Sequence, residues 1–315
     1  MKMAFLVVTS KCNKSCSYCW YAQQNERFVD DRLSSLKTEQ LLEGLTSHGF
    51  TDLIITGGEP LLQREIVLNC LHRATKLGML SWLSTNAKTI NSDLAAELVD
   101  SGLQGVHISV DVLGQDLIRV TSQPEFNHVM SVIEMFKSLG LPNICLTCVI
   151  SSHNKGAVEP LYEMAKQLGI DLMLQPVFLA ESEQVLVKIG GSVSSTGSAM
   201  VSTVPGVSRL GREEWRELTP FLENWGQETQ RGDYVRVLLD HYIRGGGPKS
   251  CGMGRDCIVV DSDGTVFPCF HRRDLIAGNI IDNDLGTVME KLDFYFNTQT
   301  SGASCFGEHC ISLFS

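Results

Sequence analysis

The stretch Met3-Ala4-Phe5-Leu6-Val7-Val8-Thr9-Ser10-Lys11-Cys12-Asn13-Lys14-Ser15-Cys16-Ser17-Tyr18-Cys19 decides the fold. Its first seven residues are an apolar, β-rich run of strand length, and the rest is a polar loop carrying three cysteines. Five further runs of the same kind follow at 52–56, 80–84, 105–110, 144–150 and 171–177. Between them, segments 38–49, 64–78, 92–101, 127–140 and 158–169 place apolar residues three and four apart, and four of the five end in glycine. Alternation of this kind predicts βα units around a parallel sheet. The expected fold class is α/β, a partial (β/α)6 TIM-like barrel over residues 1–180, although an open doubly wound sheet would read the same way. In either case the loops after the strand C-termini form the functional face.

Residues 181–211, with Gly190-Gly191-Ser192 among them, read as a flexible loop or lid. Residues 212–315 read as a helical linker followed by a small cysteine-rich extension. Helical spacing covers 212–226 and 233–244 and is broken by Gly245-Gly246-Gly247-Pro248. After the break, 258–260 and 265–267 flank Asp263-Gly264, the signature of a two-stranded hairpin.

Composition narrows the function. The chain has 315 residues, 43% of them hydrophobic and 20% charged, with a formal net charge of −10. That is too apolar for a disordered protein, and no apolar run is long enough to span a bilayer. The N-terminus is too short for a secretory signal, so the expectation is a cytoplasmic enzyme without a membrane partner. The acidic balance argues against nucleic acid as a partner. Eleven cysteines stand out. An odd count in a reducing compartment argues against a disulfide framework and for metal or redox chemistry. Cys70, Cys145 and Cys148 sit in helical or strand-like patterns and are expected to be core.

Cys12, Cys16 and Cys19 are spaced Cys-x3-Cys-x2-Cys, and no histidine or fourth cysteine follows through Lys37. Three thiolates can hold a cubane iron–sulfur cluster while leaving its fourth iron open, whereas structural zinc wants a fourth protein ligand. With Tyr18 just before the third cysteine, the triad resembles that of the radical S-adenosylmethionine (SAM) superfamily. Gly57-Gly58-Glu59-Pro60 after the second strand resembles its Gly-Gly-Glu-Pro motif, and Ser84-Thr85-Asn86, Ser109-Val110-Asp111 and Gln175-Pro176 stand at later strand ends. The resemblance implies a [4Fe-4S] cluster with one open iron held by the triad. It also implies SAM bound by Tyr18, Gly57, Gly58, Glu59, Pro60, Ser84, Asn86, Ser109, Asp111 and Gln175, Glu59 meeting the methionine amino group and Ser109 and Asp111 the ribose. Trp20 is a further candidate beside the adenine. A flavodoxin- or ferredoxin-like reductant is implied as a partner, and oligomeric state is left open.

In the tail, Cys251 and Cys269 bracket the hairpin, with twelve residues between Cys251 and Gly264 and four between Gly264 and Cys269, and Cys305 and Cys310 follow. Four thiolates could close around a second cluster, and the segment resembles the twitch form of the SPASM extension of radical SAM enzymes, which implies an auxiliary [4Fe-4S] cluster. A zinc ribbon also fits four cysteines, and His271 and His309 are possible competing ligands. Cys257 is left over: an inert thiol, a replacement for Cys251 as ligand, or a hydrogen-atom donor to a substrate radical.

The expected activity is hydrogen abstraction from a C–H of a small polar substrate such as an aminoglycoside, amino-cyclitol or other natural-product intermediate, ending in epimerisation or two-electron dehydrogenation. A ribosomal peptide maturase acting as epimerase or crosslinking enzyme is the alternative, disfavoured by a chain that begins at the first strand and leaves little room for a leader-binding domain. A non-catalytic iron–sulfur electron carrier is the alternative from another class. Arg119 could meet a carboxylate or phosphate, or be an exposed helix residue.

Overall fold

The computed structural model describes residues 2–16, 18–19, 21, 31, 33–111, 123–177, 208–244, 252–270 and 272–298. Trp20, Arg119, Cys251, His271, Cys305, His309, Cys310 and nearly all of the expected loop lie outside the described residues.

Nine strands form one open sheet: β1 (Met3–Val7), β2 (Asp52–Thr56), β3 (Leu80–Thr85), β4 (Gly105–Ser109), β5 (Asn143–Ile150), β6 (Asp171–Pro176), β7 (Cys257–Val260), β8 (Thr265–Phe267) and β9 (Gly278–Asn279). Their order is β6-β5-β4-β3-β2-β1-β7-β8-β9. Helices α1 (Ser35–Ser47), α2 (Arg64–Lys76), α3 (Ser92–Asp100), α4 (Gln123–Ser138) and α5 (Val158–Leu168) connect the first six strands. Then come α6 (Arg212–Glu228), α7 (Gly232–Leu239) and, after the hairpin, α8 (Leu285–Thr298). The helices start and stop where side chains dictate. Asn91 caps α3 by accepting from Leu94 N at 2.9 Å, and α5 ends at Gly169, whose φ of 63° favours glycine.

Strand alternation sorts the sheet into two faces. Ala4, Leu6, Leu53, Ile55, Leu83, Val106, Ile108, Leu146, Leu172 and Leu174 belong to one buried cluster with the helices. The opposite face is mixed. Phe5, Val7, Val259 and Phe267, with Tyr21 and Phe270, make a separate apolar cluster on the β1–β7–β8 side. Thr56, Ser84, His107, Thr147 and Gln175 on β2 to β6 are only half-buried and Ser109 is exposed. That second face is the interior of the partial barrel.

The expected hairpin is present and joins the barrel sheet: β7 runs parallel to β1, pairing Met3 with Cys257 through Leu6 with Val260, and β8 and β9 continue the sheet antiparallel. The run Cys257–Val260 is buried throughout, so it needs cover on both faces: Ile258 and Val260 join the helix-side core, Val259 joins the cluster with Val7 and Phe267, and β1 satisfies its backbone edge. Helix α8 and strand β9 were not legible from periodicity. At the other edge, the Tyr234 hydroxyl donates to Leu174 O at 2.7 Å and the Arg231 guanidinium forks onto the Asp171 carboxylate, one bond at 2.8 Å. Both occupy the β6 edge that would otherwise be open to pairing.

Candidate active site at the strand C-termini

The loop carrying the triad is laced to its neighbours by backbone bonds. Gly58 N donates to Thr9 O and Glu59 N to Lys11 O, each at 2.8 Å. This approach requires glycine: a Cβ on Gly57 would stand 2.5 Å from Thr9 O, and one on Gly58 2.2 Å from Lys11 O. The double glycine thus serves contact between the β1 and β2 loops rather than turn geometry alone.

Glu59, 1% exposed, ties the β2 and β3 ends together. Its carboxylate accepts from Thr85 Oγ1 at 2.7 Å, Asn86 N at 2.8 Å and Leu61 N at 3.2 Å. Burial raises its pKa against the opposing pull of these donors and of Lys14. Three donors leave part of the carboxylate's capacity of roughly four acceptor positions for a further ammonium. Asn86 bridges onward to the triad, donating to Asn13 Oδ1 at 2.8 Å and pointing its Nδ2 at Cys12 Sγ, 3.8 Å away. Lys14 N also donates to Cys12 Sγ at 3.4 Å. N–H donors directed at a ligand sulfur are the surroundings an iron–sulfur thiolate wants.

Across the mouth, the Tyr18 hydroxyl donates to Asp111 Oδ2, while Asp111 Oδ1 accepts from Val149 N at 3.0 Å. Burial raises the pKa of Asp111, opposed by its hydrogen bonds from Tyr18 and Val149. Burial, with Asp111 beside it, raises that of Tyr18. Both Asp111 oxygens are therefore engaged by protein donors, and the bond from Tyr18 ties the triad loop to the end of β4. Lys14 adds an ion pair to Glu125 in the first turn of α4 at 3.8 Å. Ser84, Ser109 and Gln175 face the barrel interior, and no hydrogen bond engages their side chains among the described residues.

Three contributors escaped the sequence reading. Asp31 closes the base of the triad loop, accepting from Thr9 Oγ1 at 2.5 Å and from Ser10 N at 3.0 Å. Burial acts to raise its pKa, but hydrogen bonds from Thr9, Ser10 and Ser262 outweigh it and hold the carboxyl below its ordinary value. Tyr21, two residues past Cys19, accepts from Arg273 Nη2 at 2.9 Å. Arg273 in turn pairs with Asp261 and lies over the Phe267 ring at 5.1 Å. Nothing in spacing marks these residues, because their partners lie far away in the chain.

The described tail cysteines lie at the other pole. Cys257 is in register with Met3, where β1 begins, whereas the triad follows where β1 ends; four residues at about 3.3 Å each separate the two levels by roughly 13 Å. The β7–β8 register pairs Val259 with Phe267 and Val260 with Val266, so Cys257 begins β7 and Cys269 follows the end of β8. Both are buried, at 4% and 6% exposed. Cys70, Cys145 and Cys148 are buried as expected, and burial pushes the Cys70 and Cys145 thiols up to about 12. Among the described residues no helix is long and apolar enough to cross a membrane.

Comparison with known proteins agrees with this geometry. The chain is 29% identical over 172 residues to a GTP 3',8-cyclase of Rhodopseudomonas palustris, covering 53% of this chain and 50% of that protein. It is 31% identical over 170 residues to a probable GTP 3',8-cyclase of Methanopyrus kandleri, covering 53% and 54%. It thus spans about half the length of these curated relatives. Among solved structures, anSMEcpe with bound AdoMet superposes with a TM-score of 0.63 at 22% identity, over 94% of this chain and 82% of that one. Streptococcus suis SuiB bound to precursor peptide SuiA gives 0.64 at 15% identity, over 96% and 66%. At these identities the likeness is one of fold, a partial TIM barrel. The family model described as an iron-sulfur cluster-binding domain, SPASM, matches residues 251–306, which favours iron over zinc in the tail. The model of the radical SAM superfamily matches residues 6–165, just over half the chain, and the protein belongs to that superfamily, with SAM and a [4Fe-4S] cluster as its cofactors and an auxiliary iron–sulfur centre in its SPASM segment.

Proposed function

We propose that this radical SAM enzyme removes a hydrogen atom from a substrate C–H and completes a two-electron oxidation. SAM and its cluster, when bound, supply the 5′-deoxyadenosyl radical that takes the hydrogen atom. Cys12, Cys16 and Cys19 would hold that cluster; Glu59, Asn86 and the Gly57-Gly58 backbone would seat the cofactor, with Ser84, Ser109 and Gln175 facing it from the barrel interior. Tyr18 and Asp111 would fix the loop above. The substrate loses a hydrogen atom, then one further electron and a proton, so the reaction needs an electron acceptor. Epimerisation is redox-neutral and needs a hydrogen-atom donor instead.

The observation that carries the choice is the register of Cys257 with Met3, a full strand's length from the triad, on the strand that pairs with the one leading to Cys269. Such a position supports a ligand role for Cys257 at the auxiliary centre, together with Cys269 and others of Cys251, Cys305 and Cys310, and weighs against hydrogen donation at the opposite pole. A small polar molecule is the proposed substrate class. The fold likeness to SuiB bound to its precursor peptide favours a peptide substrate as the second reading; dehydrogenation and oxidative crosslinking both consume the same two electrons. A flavodoxin- or ferredoxin-like protein is the proposed reductant.

Anaerobically reconstituted protein should hold about eight irons in two cubanes and release 5′-deoxyadenosine when dithionite and SAM are added. Cys257→Ala should lose about half of that iron while keeping the SAM-dependent centre. Full iron retention in Cys257→Ala refutes the ligand role and returns the thiol to the donor reading. Absence of 5′-deoxyadenosine from fully loaded wild type would leave the electron-carrier alternative.

A further inference from the structure

His107 lies on β4, two residues before Ser109. Its neighbours Val106 and Ile108 point into the helix-side core, so alternation turns His107 toward the barrel interior. The strand registers place it in one row with Ser84 on β3, Cys145 on β5 and Asp171 on β6. Its ring stacks on Trp82 at 5.1 Å with 27° between planes. The indole itself lies across Gly105, where a Cβ would meet Trp82 Cε3 at 2.1 Å. The imidazole is thus held in place by packing. Yet among the described residues neither ring nitrogen has a hydrogen-bond partner. Nor is either nitrogen among the sealed, unpaired polar atoms, which include Trp215 Nε1 and Trp225 Nε1.

The surrounding charges are already spent. Asp171 and Arg231 neutralise each other through a forked ion pair, and Cys145 stays a thiol, its pKa pushed up to about 12 by burial. Burial, only partly opposed by Asp171, lowers His107 to about 4, so near pH 7 it is a neutral ring with one donor and one acceptor. We propose that His107 is a substrate-contacting residue whose open ring nitrogen hydrogen-bonds an uncharged hydroxyl or amide of the substrate. A rigid, unsatisfied, neutral imidazole on the interior face matches a group that both donates and accepts, and has no charge to offer a carboxylate. The inference rests on the radical SAM reaction proposed above and takes the barrel interior as the place of its substrate.

The test uses reconstituted holoenzyme with SAM and matched small probes: N-acetyl-alaninamide and myo-inositol, both uncharged, the anion N-acetyl-alanine and the cation alaninamide. Binding is read by saturation-transfer NMR titration. The uncharged probes should bind best, and His107→Leu should weaken them about fivefold to tenfold, the worth of one neutral hydrogen bond. His107→Gln, which keeps a neutral donor and acceptor, should recover most of that loss. Iron content should match wild type in both variants. Equal binding of the uncharged probes to wild type and His107→Leu, preference for the charged probes, or failure of both uncharged probes to bind overturns the assignment. Loss of 5′-deoxyadenosine from wild type would instead strike the enzymatic reading itself.

Discussion

Replacing Gly58 by alanine tests how the triad loop is held. The added Cβ would sit 2.2 Å from Lys11 O, 2.5 Å from Lys11 C and 2.7 Å from Ser10 O, all backbone atoms. No rotamer change relieves such a contact, so the two loops must part by about 1 Å to restore van der Waals distance. That displacement would stretch the Glu59 N to Lys11 O bond, now 2.8 Å, past hydrogen-bonding range. Losing that bond with its groups left unpaired costs about 1–3 kcal/mol, and the overpacking about as much again. The sum, about 2–6 kcal/mol, is a large share of the roughly 5–15 kcal/mol that holds a domain folded. Guanidinium unfolding of the apo chain reads the stability, and iron content after anaerobic reconstitution reads the loop. Gly156→Ala is the control, since nothing lies within 4 Å of its Cβ position, and it should stay within about 0.5 kcal/mol of wild type. A Gly58→Ala protein with the unfolding midpoint and iron load of the control would refute the contact argument.

Three further outcomes follow from the same contacts. A double-mutant cycle of Tyr18→Phe and Asp111→Asn should give a coupling of about 1.5–3 kcal/mol in chemical unfolding, as expected of a buried hydrogen bond to a carboxylate; additive effects would mean that the bond does not hold the loop. His107, held near 4 rather than its ordinary 6.5, stabilises the fold fully above about pH 6.5. That contribution is lost as pH falls toward 4, by at most about 3 kcal/mol, so His107→Leu should flatten the unfolding profile over this window. Asp31 titrates below its ordinary value, so its contribution is present above about pH 4 and fades on further acidification. Asp31→Asn should lower apo stability at pH 7, and its difference from wild type should shrink as pH falls below about 4.

The six barrel strands were legible because each is a short apolar run whose helix-side residues must be buried, and their observed bounds fall within a residue or two of those expected. The hairpin was legible from Asp263-Gly264, but its docking on β1 was not, since pairing between strands 250 residues apart leaves no local trace. Helix α4 begins at Gln123, four residues before the periodic segment suggests, because its first turn, with Glu125 paired to Lys14, is polar. At the site, residue types at strand ends named the motif, whereas the partners of each side chain came only from the fold. Asp111 illustrates the gap: its place at the end of β4 suggests a ribose contact, yet its oxygens meet Tyr18 and Val149. His107 lay unnoticed inside a strand pattern, where only alternation between two core residues distinguishes a side chain turned inward from one in the core.

The lacing of the triad loop bears on why the hairpin belongs to the barrel sheet. Leu33 N donates to Ser262 O at 3.1 Å, and Arg273 reaches from four residues beyond Cys269 to the hydroxyl of Tyr21, two residues beyond Cys19. Between them, Phe5 and Phe270 meet edge to face at 5.2 Å, so the β1–β7–β8 side of the interior is packed with rings. The polar part of the interior is therefore the side lined by β3 to β6, where Ser84, His107, Thr147 and Gln175 face inward. The two cysteine-bearing segments are also tied together, since Arg273 joins the segment after Cys269 to Tyr21 beyond the triad. An oxidase that must place its hydrogen-abstracting site and its electron acceptor on one rigid frame would need that linkage, whereas an epimerase that quenches its radical locally would not.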